Sequence, residues 1–168
     1  MTFAWTLAEQ ALELPDPPPA PMDPTVESLG AWTDTCLQPW LADKNRLVTA
    51  ARRELDSAAE ERLEQRILAG ALDGLLHEDV ARVLLSIPVP REIAEEEPEI
   101  EEAYRYVIAG QAEPYLARSR AAYRACAANA RAGERYLAFE RFCSQRRASL
   151  PMSHREQAEG TVLEVIRE

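Results

Sequence analysis

Ala122-Tyr123-Arg124-Ala125-Cys126-Ala127-Ala128-Asn129-Ala130, followed beyond Gly133 by Tyr136-Leu137-Ala138-Phe139-Glu140-Arg141-Phe142-Cys143, decides the architecture. Aromatic residues and cysteines recur at helical spacing on both sides of the glycine. That pattern predicts a helical hairpin and the densest part of a hydrophobic core. Outward from Gly133, the first helix reaches back to Pro98 and the second runs from Glu134 to about Ser149, where Leu150-Pro151 stops it. Cys126 lies seven residues before Gly133 and Cys143 ten after it, at comparable heights on facing helices. A disulfide there needs Cα atoms within about 7 Å, and two small buried thiols fit the same positions. Both states stay open, and in either the two cysteines are expected to face each other across the turn.

The chain upstream reads as two further long helices. Asp23-Pro24 has the form of a capping residue followed by proline at a first helical position, and Val26, Leu29, Cys36, Trp40, Leu47, Ala51 and Leu55 make one stripe. Residues 25–57 are therefore read as a helix, kinked or broken at Pro39. Ser57 is read as the cap of the next helix, which runs to Ile87 and carries the most apolar pattern in the chain. It is expected to be central. Gly70 and Gly74 have the spacing that lets another helix approach, although two merely tolerated glycines fit equally. Pro88-Val89-Pro90 ends this helix, a loop covers Arg91 to Glu97, and Pro98 with Glu99, Glu101 and Glu102 starts the third. That helix is expected to turn Ile100, Tyr104, Val107, Ile108, Tyr115, Ala122 and Cys126 inward, with a second kink at Pro114. Gln38-Pro39-Trp40-Leu41-Ala42 and Glu113-Pro114-Tyr115-Leu116-Ala117 share a Pro-aromatic-Leu-Ala core, so both helices are expected to bend around one core layer.

The fold class that follows is an all-α, up-and-down bundle of three long, proline-kinked helices with a shorter fourth. Residues 1–24 form an N-terminal segment and proline-rich linker, 25–150 the bundle, and 151–168 a tail whose Thr161-Val162-Leu163-Glu164-Val165-Ile166 fits a short strand or a docking helix. Within the first segment, residues 2–13 form a short helix with Phe3, Leu7 and Ala11 on one side. The run from Pro15 to Pro24 is extended and polyproline-like; it resembles a ligand for an SH3-like groove and is read as a stiff spacer.

With 168 residues the chain suits one domain with a real core. A net charge of −10 argues against a general role on nucleic acid or a membrane surface. Lys44 is the only lysine. No run approaches the roughly 20 apolar residues of a membrane helix, and Met1 to Ala8 lacks a basic, signal-like start. Three cysteines without a Cys-x-x-Cys pair argue against structural zinc.

No catalytic motif emerges. His77-Glu78-Asp79 has the residue types of a base or metal site, but position 81 is alanine, so the second histidine of a helical zinc motif is missing. Neither His77 nor His154 follows a glutamate at the spacing that di-metal bundles use, since Gly74 and Pro151 stand there. There is no glycine-rich phosphate loop and no Gly-x-Ser-x-Gly turn. Neither catalytic residues nor a cofactor nor a metal is therefore assigned, and His77-Glu78-Asp79 is read as a polar patch on a helix surface. Residues 118–147 hold eight arginines against two glutamates, opposite a glutamate-rich run at 92–102. The arginines are expected to pair with Glu54, Asp56, Glu60, Glu61 and Glu64 rather than with nucleic acid.

The pattern Ala122-Tyr123-x-x-Cys126-x-x-x-Ala130, then Phe139 and Cys143, resembles the terminal helical segment of cell-envelope tetratricopeptide-type proteins of myxobacteria, including ones tied to gliding motility. Trp32, Pro39-Trp40-Leu41, Pro88-Val89-Pro90, Tyr104-Arg105 and Pro114-Tyr115-Leu116 fit it loosely, over about residues 25–150. The resemblance implies a non-enzymatic helical scaffold or adaptor in the periplasm, with Cys126 and Cys143 oxidised. It departs from such proteins in lacking a 34-residue repeat and an export signal. The expected function is protein–protein interaction or scaffolding, with another protein as partner and a contact surface beside the two kinked helices near Trp32, Trp40, Tyr115 and Tyr123. A cytoplasmic acidic immunity protein or secretion chaperone is the second reading, and a small helical enzyme or metal protein the third.

Overall fold

A computed structural model describes residues 2–95 and 98–151. The protein is all-α, with no strand among the described residues. Its helices are α1 (Thr2–Glu13), α2 (Val26–Trp32), α3 (Gln38–Ala59), α4 (Leu63–Leu85), α5 (Arg91–Ala94), α6 (Pro98–Ala130) and α7 (Leu137–Ser149). A π-helical turn, Thr33–Leu37, joins α2 to α3, and a 3₁₀ turn, Glu134–Tyr136, precedes α7. The expected kink at Pro39 takes this form. Proline offers no amide hydrogen and its ring crowds the carbonyl four residues back. The widened turn absorbs both, with the Gln38 amide donating to the Thr33 carbonyl.

α4 is the axis of the molecule. It is apolar on nearly all sides, so it must be covered on nearly all sides. Ile67, Ala71, Val80, Ala81 and Leu84 meet α6 and α7, while Ala69, Leu72 and Leu76 meet α1 and α3. α4 and α6 run antiparallel: Gly70 lies beside Cys126 of α6, and Tyr104 near the other end of α6 donates to the Pro88 carbonyl beyond α4. The α4–α6 seam is close. A Cβ on Gly74 would lie 2.4 Å from the Tyr123 ring, and one on Gly70 would lie 3.1 Å from the Ala122 carbonyl oxygen. At Gly74 the helices leave no room for a methyl group, and at Gly70 a methyl group would need α6 to give by a few tenths of an ångström.

Several local expectations shift. Thr25, not Asp23, caps α2 through a capping box with Ser28, and Asp23 pairs instead with Arg91 at 3.2 Å. α3 runs on to Ala59, past Ser57, so Ser57 does not cap the next helix; Arg62 stands at that position without a side-chain cap. Residues 91–94 of the expected loop form α5. His154 and the tail segment 161–166 lie outside the described residues.

The N-terminal segment packs into the core rather than standing apart from the bundle. Its buried face is Ala4, Ala8 and Ala11, while Phe3 is exposed. Alanines win because α1 lies close against α3 and α4, where Lys44 reaches the Ala11 carbonyl. The proline-rich run then passes over α2, α3 and α4 as a strap. A polyproline helix makes no internal hydrogen bonds, so its carbonyls need outside donors. The Trp40 indole donates to the Pro15 carbonyl at 2.8 Å and the Trp32 indole to the Pro18 carbonyl at 2.7 Å.

α6 outruns the bundle. None of residues 98–111 is buried, so Ile100 and Val107, expected inside, stand in solvent. The reason is geometric. A 33-residue helix is about 50 Å long, whereas its main partner α4 has 23 residues.

Candidate functional site

A groove of about 700 Å³ runs between α3 and α6, beside the two proline-bearing helices. Asn45, Val48, Thr49, Arg52, Arg53 and Asp56 line its α3 wall, and Gln111, Pro114, Tyr115 and Arg118 its α6 wall. These numbers step by three and four, so each set is one face of a helix. His77 of α4 forms part of the lining and is almost wholly buried. Its Nδ1 lies 2.8 Å from the Asp73 carbonyl oxygen and 3.2 Å from the Asp73 carboxylate. A carbonyl only accepts, so Nδ1 carries the proton, and in the neutral ring Nε2 is an acceptor. The Tyr115 hydroxyl donates to Asn45 Oδ1 at 3.1 Å, and its ring centre lies 6.4 Å from that of His77. Three arginines against one aspartate make the groove positive in an acidic protein.

The three residues His77-Glu78-Asp79 do not form a surface patch. Successive helical side chains diverge by about 100°, and each is engaged separately. Glu78 accepts from the Tyr123 hydroxyl at 2.5 Å and pairs with Arg146 at 2.9 Å. Burial, reinforced by the Glu78 carboxylate, pushes the Tyr123 hydroxyl well above the usual phenol range. The hydrogen bond to Tyr123 in turn raises Arg146. Asp79 pairs with Lys44 at 2.5 Å and with Arg82 at 2.7 Å. Arg82 continues to Asp16 in the strap through two hydrogen bonds of 2.7 and 2.9 Å. These bonds hold the Asp16 carboxyl below the usual carboxylate range despite its partial desolvation, and they raise Arg82.

The four aromatics expected on one partner surface are not brought together. Tyr123 is fully enclosed in the α4–α6 seam, because Gly74 opens the space for its ring. Trp40 is buried against Leu37 and Val83 and, with the half-buried Trp32, is taken up by the strap. Tyr115 alone lines the groove. The two Pro-aromatic-Leu motifs do not set their aromatics at one level of α4, since Trp40 packs with Val83 and Tyr115 stands beside His77.

Cys126 and Cys143 are joined in a disulfide, with Cα atoms 6.2 Å apart and both side chains buried. Cys36 is a free, partly buried thiol. Of the arginines in the hairpin, Arg135 reaches the 54–64 acids, pairing with Glu64 at 2.7 Å. Arg120, Arg131 and Arg146 pair with Glu113, Glu140 and Glu78 instead, because those acids sit on the same or touching helices.

Sequence reasoning passed over Arg52 and Arg53, and it counted Arg118 only among the hairpin arginines expected to pair with Glu54, Asp56, Glu60, Glu61 and Glu64. The signal available was the helical spacing Asn45-Thr49-Arg52-Arg53-Asp56 with Gln111-Tyr115-Arg118, which becomes a groove once α3 and α6 flank α4. Lys44 was equally legible as the sole lysine, and its burial is what gives it meaning. No group of three His, Cys, Asp or Glu side chains able to hold a metal ion occurs among the described residues. None of the helices among them is long and apolar enough to cross a membrane. Compared with known proteins, the chain matches no family model, no curated protein and no solved structure.

Proposed function

We propose that this chain is a non-enzymatic protein–protein interaction or scaffold module, gripped by its partner along residues 98–111 of α6. The observation that carries the reading is this arm of about 20 Å, which has no buried residue yet leaves Ile100, Tyr106 and Val107 44%, 61% and 58% exposed. Grouped apolar side chains of this kind mark interaction sites. Ile100, Ala103 and Val107 follow the i, i+3, i+7 spacing of a helix seated in a partner's groove. Glu92, Glu95, Glu99, Glu101 and Glu102 lie on or beside the arm, so the complementary groove is basic. The same acidity disfavours nucleic acid and anionic membranes as partners.

The disulfide supports an oxidising compartment, the periplasm or cell envelope. The resemblance of residues 25–150 to myxobacterial tetratricopeptide-type envelope proteins belongs to the same proposal. The net charge of −10 favours a second reading, a cytoplasmic immunity protein or secretion chaperone. A helical enzyme or metal protein stands behind both.

A photo-crosslinking residue at Val107, introduced in the native host, tests the arm. The expected result is a discrete adduct with a basic protein that disappears when Ile100 is changed to Asp. No adduct, or one indifferent to Ile100→Asp, would sink the arm as the contact site. Thiol titration of protein isolated without reductant separates the compartments. One reactive thiol, Cys36, supports the envelope; three support the cytoplasm.

A further inference from the structure

We infer that the groove between α3 and α6 is a binding site for a small hydroxylated polyanion, apart from the Ile100 to Val107 stretch of the α6 arm. Arg53 and Arg118 form no ion pair among the described residues, and Arg52 has only a long contact to Asp56, at 3.8 Å. Arg120 and Arg146 sit close to carboxylates at 3.0 and 2.9 Å, whereas Arg124, Arg141 and Arg147 form no ion pair among the described residues. The mark of the groove is that three arginines line it together. In a chain this rich in acids, three arginines lining one groove against the single carboxylate of Asp56, 3.8 Å from Arg52, leave guanidinium donors for an outside anion. A planar guanidinium grips carboxylate and phosphate oxygens in pairs.

The lining says more about the ligand. His77 Nδ1 is committed to Asp73, which leaves Nε2 as the ring's other polar atom at the groove lining. Tyr115 donates to Asn45 Oδ1, which leaves the Asn45 amide as a donor and the Tyr115 oxygen as an acceptor. Acceptors next to cations suit a molecule that carries hydroxyl groups together with its negative charges. The groove, about 700 Å³ and open to solvent along one side, has room for a small molecule. The net charge of −10 disfavours a long polyanion, most of which would extend beyond the groove. Sugar phosphates and hydroxy-polycarboxylates share the required chemistry.

Titration calorimetry of the full chain with fructose 1,6-bisphosphate and with citrate separates those two sources. One-site saturable binding of either probe is expected, and whichever binds names the anion type. Arg53→Glu with Arg118→Glu is expected to weaken binding by about tenfold or more, the worth of one charged hydrogen bond. Both positions are exposed, so the melting temperature should stay near that of the native chain. Tricarballylate, which is citrate without its hydroxyl, is expected to bind more weakly than citrate. Failure of both probes to saturate at millimolar concentration, or equal affinity in the charge-reversed variant, overturns the site. Equal affinity for citrate and tricarballylate overturns the requirement for a hydroxyl.

Discussion

Lys44 has no exposed surface, and its ammonium is held by Asp79, the Ala11 carbonyl and the face of Trp40, 5.7 Å away. Burying an ammonium costs several kcal/mol unless a partner compensates. Asp79 is the less buried of the pair and has a second cation in Arg82, so the two ends are not equivalent. Asp79→Ala strands a buried charge and is expected to cost about 3–5 kcal/mol, whereas Lys44→Met is expected to cost less, about 2 kcal/mol. Urea denaturation of the two variants checks the asymmetry.

Tyr123 supplies a pH test at the same scale. Its folded hydroxyl resists ionisation, so above pH 10, its ordinary value, the unfolded chain loses a proton that the folded chain keeps. Stability from this group is complete below pH 10 and falls as pH rises, by up to about 1.4 kcal/mol per pH unit. Tyr123→Phe is expected to cost about 1 kcal/mol at pH 7 and to flatten the alkaline decline of melting temperature.

At the level of helices, the α4–α6 seam rests on glycine. Gly74→Ala places a methyl group inside the Tyr123 ring, which is trapped between helices and held at its hydroxyl by Glu78. Overpacking of this kind costs about 1–3 kcal/mol, and thermal melting of the variant reads it directly. Most helix positions were legible beforehand. Pro98, Pro88-Val89-Pro90, Gly133 and Leu150-Pro151 act locally on backbone donors and dihedrals, so they mark helix ends without tertiary information. Facing was less legible. Ile100 and Val107 carry a core-like spacing, yet whether such a stripe is covered depends on the length of the neighbouring helix. In α1 the larger Phe3 lost to the alanine stripe, because a close approach selects small side chains.

For the molecule as a whole, two ties matter. The disulfide closes a loop between residues 17 apart in sequence. Replacing both cysteines with alanine is expected to cost about 3 kcal/mol, measured by urea unfolding. Strap and α1 form the other tie, through Trp32, Trp40, Arg82 and Lys44. Removing residues 1–24 uncovers Lys44 and the apolar faces of α3 and α4. The truncated chain is expected to melt well below the full one, or without a cooperative transition, by circular dichroism.

Helix content, the helix ends set by proline and by Gly133, and the central rank of the 63–85 segment follow from the order of residues alone, because periodicity and proline are local effects. The apposition of Cys126 and Cys143 was close to this class: a single turn at Gly133 brings their heights together, although spacing left open whether they bond. The fate of Trp32, Trp40 and Tyr123, the meaning of the single lysine and the arginine groove could not be read the same way. Each depends on what a distant helix places opposite it. Charge and polarity acquire a role only when neighbours remove water or withhold a counterion.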